Sequence, residues 1–280
     1  MKYIMAGTLY LCATPIGNLD DITFRVVKLM ESVDVIAAED TRNTLKLLNH
    51  FEIKTPMTSY HEHNKVTKGP VLVERMLAGE SIALVTDAGM PGISDPGADL
   101  VKLCYDAGVP VTVAPGASAA VVALVLSGLD TRRFVFEGFL PPDKKERKAI
   151  LKTLEREHRT MIFYEAPHKL HATLKDLYKA LGDRRIALVR EITKIHEEVI
   201  KTTLSEASQK YSEEKLKGEI VLVIEGKKQA EQEDEVTLED AISLAKKYVS
   251  EGLSSSMAAK QAAKDTGIKK GEIYKALTEG

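Results

Sequence analysis

Four short apolar runs, TLYLCA (8–13), VDVIAA (33–38), IALV (82–85) and VPVTVA (109–114), alternate with amphipathic segments over the first 130 residues. Few folds admit that pattern. The runs are too short for helices and lack the polar alternation of a half-solvated strand, so they predict strands buried on both faces. Between them, helices are expected at 21–32, with Phe24, Val27 and Leu29 as apolar positions, at 42–51, 71–79 and 98–108, and from 118 onward. This β/α alternation predicts a parallel sheet with helices on both faces.

The texture changes near Leu129. RFVFEGFL, TMIFYEA, RIALVRE, EVIKTTL and EIVLVIEG read as strands separated by charged helices, which predicts a second α/β domain ending near Gly226. The stretch 227–236, KKQAEQEDEV, lacks apolar clusters and marks a linker. Beyond it, an Ala-rich helix, a Gly-containing turn and a further helix give a helix-turn-helix pattern, with a small capping bundle as the plainer reading. The expected division is 1–116, 117–226, linker 227–236, and a helical domain over 237–280.

Composition sets limits. Lys plus Arg number 39 against 41 Asp plus Glu, so the net charge of -2 gives no general field for a polyanion, and any nucleic-acid surface must be local. The two cysteines, Cys12 and Cys104, have neither metal-ligand spacing nor a CxxC pairing; they read as packing residues of a protein in a reducing cytoplasm. The longest apolar run, at 118–129, falls short of the ~20 residues of a bilayer span, and no export signal is evident near the start. A protein neither exported nor membrane-embedded is expected.

The chemistry should lie where the strands of the first half end. ATPIGNLDD, AEDTR, TDAGMPGISDPG and APGASA follow the four strands, and in a parallel sheet those ends share one edge. A phosphate-cradling GxxxxGK[ST] is absent, and no GxGxxG opens a helix after the first strand, which excludes the common nucleotide motifs. In the third loop, Gly and Pro fix the backbone path, Met90 and Ile93 offer apolar surface, and Asp87, Ser94 and Asp95 offer polar contacts. That set suits a ligand with a positive centre and an adenine-like ring; a rigid crossover with Asp95 as a helix cap is the structural alternative.

In this order, LYLCATPIGNLDDITFR, AEDTR, TDAGMPGISDPG, APGASA, FYEAPHKL and REITKIHEE resemble the ribosomal RNA small subunit methyltransferase I family, a 2'-O-ribose methylating branch of the tetrapyrrole methylases. The resemblance spans about residues 8–226, and the tail is similar to that family's helix-turn-helix. It implies an α/β protein of two tetrapyrrole-methylase-type domains with S-adenosylmethionine in the cleft between them, S-adenosylhomocysteine as product, no metal, and a homodimer. The implied substrate is cytidine 1402 in the decoding region of the 16S RNA of the small ribosomal subunit. By motif, Ile16, Asp87, Gly89, Met90, Pro91, Ile93 and Ser94 would hold the cofactor, with Ala117, Ser118 and Ala119 adding backbone contacts. Tyr164, Glu165, Gly218 and Glu219 would close from the second domain.

Such a reaction needs a base for the attacking hydroxyl and a cation near the developing alkoxide. The candidates stand at strand ends: Glu39, Asp40 and Arg42, and Arg190, Glu191 and Lys194. Asp40 is the expected base and Arg42 or Arg190 its cationic partner; salt bridges that merely tie loops together are the alternative. His61 and His63 lack further ligands at metal-binding spacing and read as a solvated loop facing RNA. His168 and Lys169 mark a helix start, and the basic clusters at 144–148 and 182–190 are the candidate RNA surfaces. Two rivals stand: a tetrapyrrole (precorrin or uroporphyrinogen) C-methylase, and a ligand-sensing DNA-binding regulator working through the tail.

Overall fold

The computed structural model describes residues 6–228 and 238–279. The chain divides into two compact units, Met1–Lys227 and Lys228–Gly280. Of the linker expected over 227–236, all but residues 227 and 228 lies outside the described residues.

The first unit holds two five-stranded sheets. One contains β1 (Leu9–Cys12), β2 (Val35–Ala38), β3 (Met57–Ser59), β4 (Ile82–Val85) and β5 (Val111–Ala114), all parallel, in the order β3-β2-β4-β1-β5. Its helices are α1 (Phe24–Ser32), α2 (Thr41–His50), α3 (Lys65–Leu77) and α4 (Gly97–Asp106). Successive side chains of a strand point to opposite faces, and both faces are covered here. Leu9, Ile82 and Leu84 meet Leu72, Met76 and Leu100 of α3 and α4. Ile36, Ala83 and Val85 meet Val26, Met30 and Leu48 of α1 and α2. Cys12 and Cys104 are buried among these groups, and burial pushes their thiols up to about 12 and about 11.

Three sequence readings change in this half. Phe24 is 89% exposed, because Thr23 caps α1 through Val26 N and leaves Phe24 in the first turn, beyond the buried stripe of Val26 and Met30. Helix α3 starts six residues earlier than its apolar run and carries Pro70 within it. Strand β3 has only three residues, all half-buried, too few to show a period.

The second sheet contains β6 (Phe134–Phe139), β7 (Thr160–Glu165), β8 (Arg185–Arg190), β9 (Glu198–Thr203) and β10 (Ile220–Ile224), in the order β6-β7-β10-β8-β9. Only the β6–β7 pair is parallel. Met161, Phe163, Leu188 and Leu222 pack under α6 (Lys144–Leu154), α7 (Leu170–Leu181) and α8 (Leu204–Glu213), the last a polar helix absent from the sequence reading. Ile162, Val189, Val221 and Val223 point the other way, onto Ala120, Ala123 and Leu124 of α5 (Ala119–Ser127). Cover on both faces explains why these antiparallel strands read as continuous apolar runs.

The second unit contains α9 (Leu238–Ser250), α10 (Ser255–Thr266) and α11 (Lys270–Glu279) around Ala241, Ala245, Ala259, Ala262 and Ile273. Four of those five are alanines, so the helices approach closely, in keeping with the helix-turn-helix pattern. Among the described residues, no helix is long and apolar enough to cross a membrane.

Arg184 ties the second domain's edge together from a buried position. Its guanidinium donates to the carbonyls of Glu155 (2.7 Å), Leu181 (3.1 Å) and Glu157 (3.1 Å). Arg184→Met would leave these acceptors without partners, and a loss of about 3 kcal/mol is expected as a lowered urea midpoint.

Candidate functional site

The four loops of the first sheet meet at its carboxyl edge. Beyond β4 the chain runs through Thr86 to Asp95, and one carboxylate organises it: Asp95 accepts from the amides of Gly92 (2.9 Å), Ile93 (3.1 Å) and Gly97 (2.7 Å). Asp95 thus staples the loop to the first amide of α4 as well as satisfying it, and the capping and loop-forming readings are one interaction. Gly89 adopts φ +83° and exchanges backbone hydrogen bonds with Thr14 (2.9 and 3.0 Å), joining this loop to the one after β1.

The loop after β2 attaches through acids. Glu39 accepts from the Thr86 hydroxyl (2.6 Å) and the Asp87 amide (3.4 Å). Asp87 in turn accepts from the Asp40 amide (3.2 Å) and the Asn43 side chain (3.3 Å). Burial, and then the neighbouring Glu39, raise the Asp87 carboxyl above the usual range.

These loops and the second sheet enclose a cavity of about 410 Å³, within the roughly 300–1,000 Å³ of small-molecule sites. From the first sheet come Ile16, Glu39, Asp87, Gly89, Met90, Ile93 and Ser94. Ser118 and Ala119 contribute the N-terminus of α5, where Ser118 makes no side-chain cap and the first-turn amides face the site. From the second sheet come Tyr164, Glu165, Phe139, Ile192, Glu219 and Val221. Tyr164 sits edge-on to Phe136 (4.9 Å) and Phe139 (5.5 Å). Five carboxylates line the cavity (Glu39, Asp87, Asp95, Glu165, Glu219), with no Lys, Arg or His among the described lining residues. An apolar, carboxylate-rimmed cavity with one helix N-terminus suits a ligand that carries a cation, a small carboxylate and a flat ring.

Of the residues expected to hold a cofactor, Pro91, Ala117 and Gly218 do not line the cavity. Gly218, at φ +89°, stands behind the wall where a Cβ would lie 2.5 Å from the Glu191 side chain. Phe139 and Ile192 were missed. They belong to the site because β6 and the turn after β8 end at the same edge, a tertiary fact with no local motif.

Of the catalytic candidates Glu39 lines this cavity, whereas Asp40, Arg42, Arg190, Glu191 and Lys194 lie outside its lining. Asp40 is the N-cap of α2 and is gripped by Arg42 (2.6 Å); the Arg42 side chain and then its amide lower the Asp40 carboxyl to about 2. A carboxylate so held is a weak proton acceptor; Asp87, which accepts from the Asp40 amide, is the aspartate of this loop pair that lines the cavity. Arg190 pairs with Glu198 (2.7 Å) and donates to the Lys217 carbonyl (3.1 Å). Glu191 accepts from the Glu219 amide (2.9 Å) and Lys194 (3.0 Å). Both residues hold the β8–β9 turn.

The 182–190 cluster is likewise spent internally: Arg184 is buried, and Arg185 pairs with Glu225 (2.5 Å). In the 144–148 cluster, Arg147 pairs with Asp176 (2.8 Å) while Lys144, Lys145 and Lys148 stay exposed. His61 and His63 stack edge-on at 6.0 Å, and among the described residues no group of three or more His, Cys, Asp or Glu is placed to hold a metal. His168 and Lys169 lie in the turn before α7, with Lys169 as its N-cap.

A family model described as tetrapyrrole (corrin/porphyrin) methylases matches residues 8–208. Ribosomal RNA small subunit methyltransferase I of Halalkalibacterium halodurans is 48% identical, covering 96% of this chain and 93% of its own. The Bacillus subtilis protein of that name is 47% identical, covering 96% and 94%. Among solved structures, uroporphyrin-III C-methyltransferase from Thermus thermophilus complexed with S-adenosylhomocysteine has a TM-score of 0.57 at 18% identity, covering 78% of this chain and 97% of its own. A diphthine synthase gives 0.60 at 14%, covering 78% and 90%.

Asp95→Ala would release three amides at once. Hydrogen exchange at Gly92, Ile93 and Gly97 is expected to accelerate while exchange in the β8–β10 core is unchanged, with a stability loss of about 1–3 kcal/mol.

Proposed function

We propose a function from this premise: the chain belongs to the tetrapyrrole methylase family and, within it, to the ribosomal RNA small subunit methyltransferase I family. The reading is S-adenosylmethionine-dependent methylation of small-subunit ribosomal RNA, and in its finer form transfer to the ribose 2'-oxygen of cytidine 1402 of the 16S RNA. The observation that carries it is the cavity whose charged lining is wholly acidic, beside a free helix N-terminus.

S-adenosylmethionine supplies a methyl group activated on a sulfonium. The carboxylates of Glu39 and Asp87 favour a cationic ligand over a neutral one, while that of Glu219 is already paired with Lys194 (3.1 Å). The amides of Ser118 and Ala119 at the head of α5 are donors for a ligand carboxylate. Tyr164, Phe139, Ile192 and Val221 form an apolar wall for an adenine ring. Pro91, Ala117 and Gly218 support the loops that carry these groups. Arg42 and Arg190 contribute by fixing Asp40 and the β8–β9 turn.

A homodimer is also proposed, supported by the edge position of β5 with its exposed Val113 and by the exposed Val121 and Val125 of α5. The exposed lysines of α6 are candidates for phosphate contacts, and a ribosomal substrate would place the protein in the cytoplasm.

The test is incubation with methyl-labelled S-adenosylmethionine and small ribosomal subunits from cells lacking the matching enzyme, followed by digestion and mass analysis. Label on a cytidine ribose is the expected result; cofactor binding without labelled RNA would refute the substrate assignment. Ser118→Leu, which intrudes on the cavity without removing a cap, is expected to weaken S-adenosylmethionine binding about ten-fold or more by calorimetry, with circular dichroism unchanged.

A further inference from the structure

We propose that a second cavity, separated from the first by Asp87, receives the target nucleotide, with Lys46 contacting a backbone phosphate and Asp87 accepting the hydroxyl proton. The inference rests on the reading of the first cavity as the methyl-donor site.

This second cavity measures about 240 Å³ and is lined by the loop after β1 (Thr14, Pro15, Gly17, Leu19) and by α2 (Asn43, Thr44, Lys46, Leu47). It shares Thr86 and Asp87 with the first cavity, so one carboxylate faces both. It is smaller than the roughly 300–1,000 Å³ of a complete small-molecule site, which suits one nucleotide of a longer chain.

The two cavities differ in charge: beside the shared Asp87, the second has a cation in its lining and the first has only further acids. The first is lined by five carboxylates; the second brings in Lys46, which is exposed and forms no ion pair among the described residues. Asn43 lies three residues earlier on the same helical face and holds Asp87 at 3.3 Å. Leu19 and Leu47 offer apolar surface for a base or sugar. An acid-lined chamber and a chamber with one exposed lysine at its lining, joined at a carboxylate, suit a sulfonium donor and a phosphodiester acceptor.

The transfer balances without a further reactant. The ribose 2'-oxygen forms a bond to the methyl carbon as that carbon's bond to sulfur breaks, the bonding pair stays on sulfur, and the hydroxyl proton passes to Asp87. Asp87 is suited to this, since burial and Glu39 raise its carboxyl above that of an exposed aspartate. The charged groups around it are Glu39, Asp40 and Arg42 on the β2–α2 side, Lys46 across the second cavity, and Asp95, Glu165 and Glu219 around the first.

Two variants test this, assayed at saturating S-adenosylmethionine on small subunits. Lys46→Glu is expected to raise KM for the subunit about ten-fold or more, to leave cofactor affinity unchanged, and to flatten the salt dependence of binding by about one counterion. Asp87→Asn is expected to lower kcat about a hundred-fold or more and to abolish the acid limb, along which the wild-type rate falls as Asp87 becomes protonated. An unchanged KM for Lys46→Glu, or an acid limb surviving in Asp87→Asn, would overturn the assignment. If the wild type labels no RNA, the methyl-transfer reading fails separately. The subsite is then judged by binding of a short cytidine-containing RNA in the presence of S-adenosylhomocysteine: a ten-fold loss in Lys46→Glu upholds it, and equal affinity rejects it.

Discussion

Parallel pairing of β1 with β4 on one side and β5 on the other is the constraint on which the site depends. Parallel strands end at the same edge, so the segments after Cys12, Val85 and Ala114 become neighbours although they lie far apart in the chain. Burial of both sheet faces under α1 to α4 holds those strands in register, since a one-residue slip would turn Ala83 and Val85 toward the wrong helices. The loops can then be irregular. Glycines at φ +83° and +89° and a carboxylate accepting three amides are tolerable where a rigid sheet fixes both ends.

The acids in the loops divide into those that build and those that face a ligand. Asp95 folds its loop, Asp40 caps a helix, and Glu191 holds the turn after β8. Glu39 and Asp87 do both, because their hydrogen bonds to Thr86, Asn43 and backbone amides leave them on a cavity wall. Clustering acids near one another is unfavourable, as the raised Asp87 carboxyl records. A cationic ligand relieves that repulsion, so the same charges that weaken the empty site strengthen the occupied one.

The alternation of strands and helices, the convergence of four loops and the part of the lining from Asp87 to Asp95 were legible from residue patterns, because Gly, Pro and Asp at strand ends have local physical meaning. Ile16, Ser118, Ala119, Tyr164, Glu165 and Glu219 were reached through the family resemblance. Glu39 and Asp40 show where legibility stops. They are adjacent and chemically alike, yet Glu39 continues the strand's phase into the cavity while Asp40 turns into the helix cap. The partner that holds Asp40, Arg42, is two residues away and readable as self-neutralising. The position of Asp87 on the cavity wall depends on burial and on Asn43, which only the fold supplies. Phe139 and Ile192 were hidden for the same reason, and so was the internal pairing of Arg184, Arg185 and Arg190, which look like a basic patch until their carbonyl and carboxylate partners are seen.

The second sheet shows how the two halves come to share one site. Its strands are apolar on both faces because α6 to α8 cover one and α5 covers the other, and α5 is the segment that leaves β5 of the first sheet. One helix therefore closes the second core with its body and presents its N-terminal amides to the cavity with its head. Ala120, Ala123 and Leu124 fix its position by packing, with Ala119 partly buried against the same core, while the Ser118 side chain makes no cap hydrogen bond. The Ala120 amide donates to the Tyr164 hydroxyl, which satisfies one of the donors that a helix start leaves over and ties the head of α5 to the second sheet at the cavity wall. The packing that completes the second core therefore also sets where the helix N-terminus stands at the site.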